Sequence, residues 1–266
     1  MEMLFSSEQM LEIESVLGHD DAKKLLKPIL DEALGKAQIS EGLEIPEAIS
    51  LSRLPLYSWR MVIPFELEKS LYSREEQFLA HVENQTRREK ATGQPCLVGP
   101  SWKGALRHAF WELGYRTKDP LDALIVRLFG TKEEEEGRLR FESSYFMSYG
   151  RHMDQKLRAA YRDQDKPISY EVVARGEKSE LRLLYCPMFD ACSHREAEDD
   201  AKLVGDAVAT LLRQLGVGGK ASAGFGTAKD ELPKKAEWTM HSSGGEVILK
   251  AFKTLTGGLS KWEGEK

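Results

Sequence analysis

The chain has 266 residues, 41% hydrophobic and 30% charged, enough apolar content for one large packed domain and too much for disorder throughout. No run approaches the roughly 18 uninterrupted apolar residues that cross a bilayer, and residues 1–7 lack the basic and apolar regions of a signal peptide, so a cytoplasmic protein with no membrane partner is expected. A net charge of −5 with a pI of about 5.8 argues against a polyanion binder held by bulk electrostatics, while leaving room for a local basic groove.

The first fifty residues read as a helical segment. Ser6 with Gln9 forms a capping-box pair ahead of Met10, Leu11, Ile13, Val16 and Leu17, and Ala22, Leu25, Leu26, Ile29, Leu30 and Leu34 continue at helical spacing up to Gly35. Pro28 is expected to kink or divide this second stretch. Residues 59–67 (WRMVIPFEL) read as a strand, which Pro64 assigns to an edge or a bulge. Residues 68–94 are polar without a clear period and read as a long functional loop. A helix is expected from Ser101 as N-cap, with Trp102, Leu106, Ala109, Phe110 and Leu113 on one face and Gly114 as its stop. Asp119-Pro120 opens another helix, carried by Leu121, Leu124, Ile125 and Leu128 and closed at Gly130.

Glu133 to Glu136 repel one another and read as a solvated loop. Residues 139–142 alternate as a strand, and 151–166 are too polar for a core and read as a projection. Residues 168–174 and 181–188 read as a hairpin joined through Arg175-Gly176-Glu177-Lys178. Residues 201–215 form the strongest helix, followed by a glycine-rich turn and a short strand near 225–228. Cys96, Cys186 and Cys192 make no disulfide framework, and Cys186, Cys192 and His194 lack the four-ligand spacing of a structural zinc site, so reduced, packed thiols are expected. This order of elements fits an α+β fold, a ferredoxin-like or RRM-like domain over 51–266, with an insertion around 147–167 and the N-terminal helical segment before it.

Two stretches carry candidate chemistry. The first runs from Glu83 to Arg107 (ENQTRREKATGQPCLVGPSWKGALR): a basic loop with Arg87, Arg88 and Lys90 feeds the turn before Ser101, and Lys103 and Arg107 share one helix face. Together they make a phosphate-binding surface, and an ordinary capped helix with a solvated basic face accounts for the same residues equally well. The second is LGVGGKASAGFG, with five glycines in twelve residues. It is no P-loop, because Gln214 and Ala221 stand where the required glycine and Ser or Thr belong, and it follows a helix. A backbone cradle for a polynucleotide remains open in this loop, around Gly218 and Gly219.

PSWKGALR resembles the GSSLKGALR-type helix start of the RAMP (repeat-associated mysterious protein) superfamily. IVRLFG followed by GRLRFESS resembles that family's FG turn and the strand behind it, and GVGGKASAGFG resembles its C-terminal glycine-rich loop. The three occur in the family's order between residues 59 and 229. The resemblance implies an RRM-derived fold and a subunit of a CRISPR type III effector complex, in contact with guide RNA, target RNA and other subunits. It assigns Lys103, Arg107, Lys220 and Ser222 to the RNA-facing surface and residues 151–166 to a thumb.

In relatives that cut target RNA an aspartate precedes this helix in a DNP-like loop. Glu83-Asn84-Gln85 stands there instead, so Glu83 is the catalytic candidate for a metal-dependent endoribonuclease, which would call for a divalent cation such as Mg2+; binding alone requires no cofactor. His81, His108, His152 and His194 are further acid–base candidates of the kind used by guide-processing relatives, which lack the PSWKG motif. GKASAGFG is closer to capping members than to the repeating backbone, so a non-catalytic cap that meets its neighbour through the N-terminal helices is a third expectation.

Overall fold

The computed structural model describes residues 50–74, 84–115, 123–131, 136–154, 168–188 and 192–258. The N-terminal helical segment, the Asp119-Pro120 helix start, residues 155–167 of the projection, and Glu83 with His81 lie outside them. The class is α+β. A five-stranded antiparallel sheet has the order β3-β7-β1-β8-β9, built from β1 (Trp59–Glu66), β3 (Leu139–Phe141), β7 (Lys178–Tyr185), β8 (Glu231–Ser242) and β9 (Gly245–Thr254). Two small two-stranded sheets accompany it: β2 (Cys96–Leu97) with β4 (Ser144–Tyr145), and β5 (Gly150–Asp154) with β6 (Ile168–Val172). Among the described residues the α-helices are α1 (Gly99–Glu112), α2 (Ala123–Phe129), α3 (His194–Thr210) and the short α4 (Leu255–Gly258). Through its sheet and main helices the chain therefore runs β1–α1–β3–β7–α3–β8, a β-α-β-β-α-β order with β9 added at one edge.

β1 is the centre of the sheet, which corrects its expected edge position. Leu67 N–H donates to Glu177 O at 2.9 Å, so the odd-numbered residues of β1 exchange bonds with β7 and the even-numbered ones face β8. The β8 pairing stops at Val62↔Glu237. Pro64 therefore lies on the β8 side one step beyond the last ladder pair, where the missing N–H breaks no bond. Trp59, Met61, Ile63, Phe65 and Leu67 are all buried, and both long helices lie on this odd face. Phe65 meets Trp102 of α1 edge-to-face at 5.9 Å, and Trp59 Nε1 donates to Ala197 O of α3 at 3.1 Å.

Several local expectations are corrected. β6 and β7 belong to different sheets, so residues 168–188 form no hairpin. The N-cap of α1 is Val98, and the exposed Ser101 already lies inside the helix. Residues 225–228 form no strand; Ala228 makes only an isolated bridge to Leu67. The α3 helix starts at His194 behind a Ser193 cap whose hydroxyl accepts from Glu196 N–H at 3.2 Å, and it continues into a π-helical turn, Leu211–Leu215. The β8–β9 hairpin was not foreseen in the sequence, although Trp238-Thr239-Met240 and Val247-Ile248-Leu249 flank a Ser-Ser-Gly-Gly turn. Cys96 and Cys186 are buried free thiols and Cys192 is half-buried, its thiol pushed above the ordinary value by burial.

Candidate nucleic-acid interface

A groove of about 840 Å³ opens where α1, the turn after α3 and the loop after β1 converge. One wall is the face of α1 that carries Ser101, Gly104, Ala105 and His108; the other is the glycine loop, with Gly216, Gly218, Gly219, Ala221 and Ser222. Arg74 and Arg87 stand at its side. They are brought there by pairing within the loop region: Arg74 bridges Thr86, and Arg87 N–H donates to Ser73 O at 2.5 Å. Glu171 of β6, only 6% exposed, locks the returning strand in place. Its carboxylate accepts from Thr86 N–H at 3.1 Å and from Arg88 Nη2 at 2.5 Å.

The glycine loop is shaped by packing against the chain leaving β1. Gly218 has φ +82°, and a Cβ there would stand 2.5 Å from Tyr72 O and 2.7 Å from Leu71 Cδ1. Gly219 N–H donates to Tyr72 O at 2.6 Å, Gly226 N–H to Ser70 O at 2.9 Å, and Val217 N–H to Gly226 O at 3.2 Å. These backbone donors serve the fold itself, so the glycines permit close packing of the loop more than they free N–H groups for a ligand. Lys220, in the left-handed region at φ +60°, holds its ammonium 3.6 Å from the centre of the Tyr170 ring. Tyr170 in turn meets Tyr72 edge-to-face at 5.3 Å. Tyr72, Tyr170 and Val172, with Phe225 packed on them, make a small second core that fastens the β5–β6 ribbon to the loop.

The structure divides the residues singled out in the sequence. Arg87, Ser101, Gly218, Gly219 and Ser222 line the groove. Lys103 lies roughly half a helical turn away, on the outer side of α1, and Arg107 about a third of a turn away, three residues on from Gly104. Burial, then the positive charges of Arg140 and Arg107, push the Lys103 ammonium below its ordinary value. Arg88 points back to Glu171 and also covers the Tyr149 ring at 4.2 Å. Lys90 is exposed in the turn closed by Gly93 N–H to Glu89 O at 2.8 Å. His108 sits on the groove wall 3.7 Å from the Glu112 carboxylate, and His194 packs edge-to-face on Tyr57. Arg74, Tyr72, Tyr170 and Glu171 were not found by sequence reasoning. The basic character of Arg74 was visible, but a strand residue such as Glu171 gives no local sign that its partner lies 83 residues away.

Known proteins now add a family to this geometry. The family model described as the RAMP superfamily matches residues 78–229. A cryo-EM structure of the Type III-B Cmr-beta bound to cognate target RNA is similar at 12% identity and a TM-score of 0.46, covering 93% of this chain and 75% of that one. A CRISPR RNA-guided surveillance complex is similar at 14% identity and a TM-score of 0.45, covering 70% of each chain. A crystal structure of a Csm3-Csm4 subcomplex in the type III-A CRISPR-Cas interference complex is similar at 13% identity and a TM-score of 0.45, covering 75% of this chain and 92% of that one. No curated protein sequence matches the chain. The matched span takes in more than half of the sequence, from the loop beside the groove to the end of the glycine loop, and the chain belongs to the RAMP superfamily.

Proposed function

We propose that this chain is a guide-RNA-binding subunit of a CRISPR type III effector complex, and that the phosphodiester backbone runs in the groove between α1 and the glycine loop. The observation that carries this reading is the convergence of Arg74, Arg87, the Ser101–His108 face and the Gly216–Ser222 loop on one open groove of about 840 Å³. Two arginines set beside a wall of small residues let a backbone approach closely, and phosphate contacts of this type position RNA without reading its sequence. The family's resemblance motifs fall on the same two walls: PSWKGALR supplies α1 and GVGGKASAGFG supplies the loop. Contacts of this kind call for no metal. With a net charge of −5 for the whole chain, affinity depends on these local cations and falls steeply with salt.

The test is RNA binding by fluorescence anisotropy over a salt series, with single-stranded oligonucleotides of unrelated sequence. The double variant Arg74→Ala/Arg87→Ala is expected to weaken binding by about tenfold to a hundredfold for every sequence. It should also flatten the log–log salt slope by about 1.4, at roughly 0.7 per lost phosphate contact. Lys103→Ala, on the outer side of α1, is expected to leave affinity within about twofold. The opposite ranking, with Lys103 essential and the two arginines dispensable, would place the RNA on the outer face of α1 and overturn the groove assignment.

A further inference from the structure

A second cavity, of about 380 Å³, lies beside the C-terminal end of α1 and the later turns of α3, on the side of the Leu211–Leu215 turn away from the groove. Its walls include Leu113, Tyr115, Leu203 and Ala209, and its polar groups include Asp206 and Arg213. Asp206 Oδ1 is buried, and among the described residues no donor reaches it. Burial alone pushes this carboxyl above the ordinary carboxylate value. The nearby cation does not serve it: Arg213 Nε lies 3.2 Å from Asp230 Oδ1, and Asp230 also accepts from Thr256 N–H at 3.0 Å and Thr256 Oγ1 at 2.8 Å. Arg213 is thus already compensated. A half-buried acid whose inner oxygen has no donor is a net cost to the isolated fold, and groups of that kind call for an explanation. Leu113, in the cavity wall, is 39% exposed, an accessible apolar contact of the kind a partner side chain covers.

We infer that this cavity is a docking socket for one basic side chain, arginine above all, presented by a neighbouring protein chain. The volume is at the low end of small-ligand pockets, about 300–1,000 Å³, and suits a single long side chain better than a strand of RNA. A guanidinium can lay its methylene stem along Leu113, Leu203 and Ala209 while its N–H fork meets Asp206. The same buried negative charge repels phosphate, so the socket selects protein over nucleic acid. It stands on these residues alone and does not depend on the RNA reading of the groove.

The experiment is a titration of the full chain with N-acetyl-arginine methylamide, followed by amide NMR shifts, with the neutral citrulline counterpart as control. The arginine probe is expected to shift the amides of Leu203, Asp206 and Arg213 with a Kd of about 1 mM. The citrulline probe should bind at least about tenfold more weakly, and Asp206→Asn should abolish the difference. Isolated Asp206→Asn is expected to melt no lower than the unaltered chain, because its carboxylate has no internal partner to lose. The proposal is overturned if neither probe shifts these amides, if both do so equally, or if Asp206→Asn lowers the melting temperature by several degrees. It is also overturned if the arginine probe binds only after Lys261→Ala, since the occupant would then be this chain's own C-terminal residues, or if a single-stranded RNA moves the same amides.

Discussion

Replacing Asp200 by alanine is expected to destabilise the fold by about 3–5 kcal/mol, the range for removing one partner of a buried ion pair. Asp200 is fully buried in α3. Its carboxylate accepts from Arg127 Nε at 3.0 Å, from Arg127 Nη2 at 2.6 Å and from the Tyr185 hydroxyl at 2.9 Å. The pair with Asp200 raises the Arg127 guanidinium above its ordinary value. Tyr185 extends the network: its hydroxyl accepts from Arg138 Nη1 at 2.8 Å, and its ring stacks on Trp59 with centroids 4.9 Å apart. One carboxylate therefore ties α2, α3 and the two central strands together. Asp200→Ala takes the near acceptor from the tyrosine hydroxyl and leaves Arg127 with only the more distant Glu196 carboxylate at 3.7 Å, a loss that is a large share of a typical net stability of about 5–15 kcal/mol. Asp200→Asn keeps the volume but loses the charge and is expected to cost less, about 1.5–3 kcal/mol. Urea unfolding checks both: the midpoint should fall while the slope stays unchanged. A loss for Asp200→Ala below about 1 kcal/mol would show that the network is relaxed by water or by rearrangement. RNA binding by the folded fraction should persist, because Asp200 lies about three helical turns from the groove residue Leu211.

The sequence disclosed this fold unevenly, for reasons that differ from residue to residue. Alternation in 59–67 and the periodic run through Leu203, Val204, Ala207, Val208, Leu211 and Leu212 report burial directly, so β1 and α3 were legible. Pro64 marks an edge or a bulge in the sequence because a missing N–H usually means a missing ladder partner. The partner is indeed missing, but only because β8 diverges after Val62, which is a fact of register between residues about 175 apart. Residues 168–188 looked like a hairpin because two apolar runs flank a glycine turn. Local sequence does not say that β6 pairs back to β5 while β7 pairs to β1. The start of α3 was legible and overlooked: Ser193 and Glu196 stand at capping-box spacing. In the candidate site the basic loop, the α1 face and the glycine loop were all visible, and their convergence was not. Lys103 and Arg107 stood out by charge, yet neither lines the groove beside Ser101, Gly104 and His108. Arg74 owes its place to a bridge with Thr86 that no spacing rule contains.

Two glycines on opposite walls of the groove are expected to respond to the same substitution in opposite ways. Gly218→Ala places a Cβ 2.5 Å from Tyr72 O in a residue at φ +82°. The left-handed backbone alone costs about 1–2 kcal/mol for a residue with a side chain. The contact cannot be relieved by a side-chain rotation, since the atom struck is backbone. The loop must move off residues 71–72, breaking the Gly219 N–H to Tyr72 O bond and drawing Lys220 away from the Tyr170 ring, for a total of about 3 kcal/mol or more. Gly104→Ala is the counterpart on α1. A Cβ there meets nothing within 4 Å, and alanine in place of a helical glycine should stabilise the chain by about 0.5–1 kcal/mol. That methyl nevertheless projects into the groove, where the proposed RNA backbone passes. Gly218→Ala is expected to lower the melting temperature and RNA affinity together, whereas Gly104→Ala is expected to raise the melting temperature and weaken RNA severalfold. Stability and affinity that rise together in Gly104→Ala would mean that nothing approaches this wall closely. Gly104 would then have no part in binding, and the RNA path would have to be sought along Arg74 and Arg87 alone.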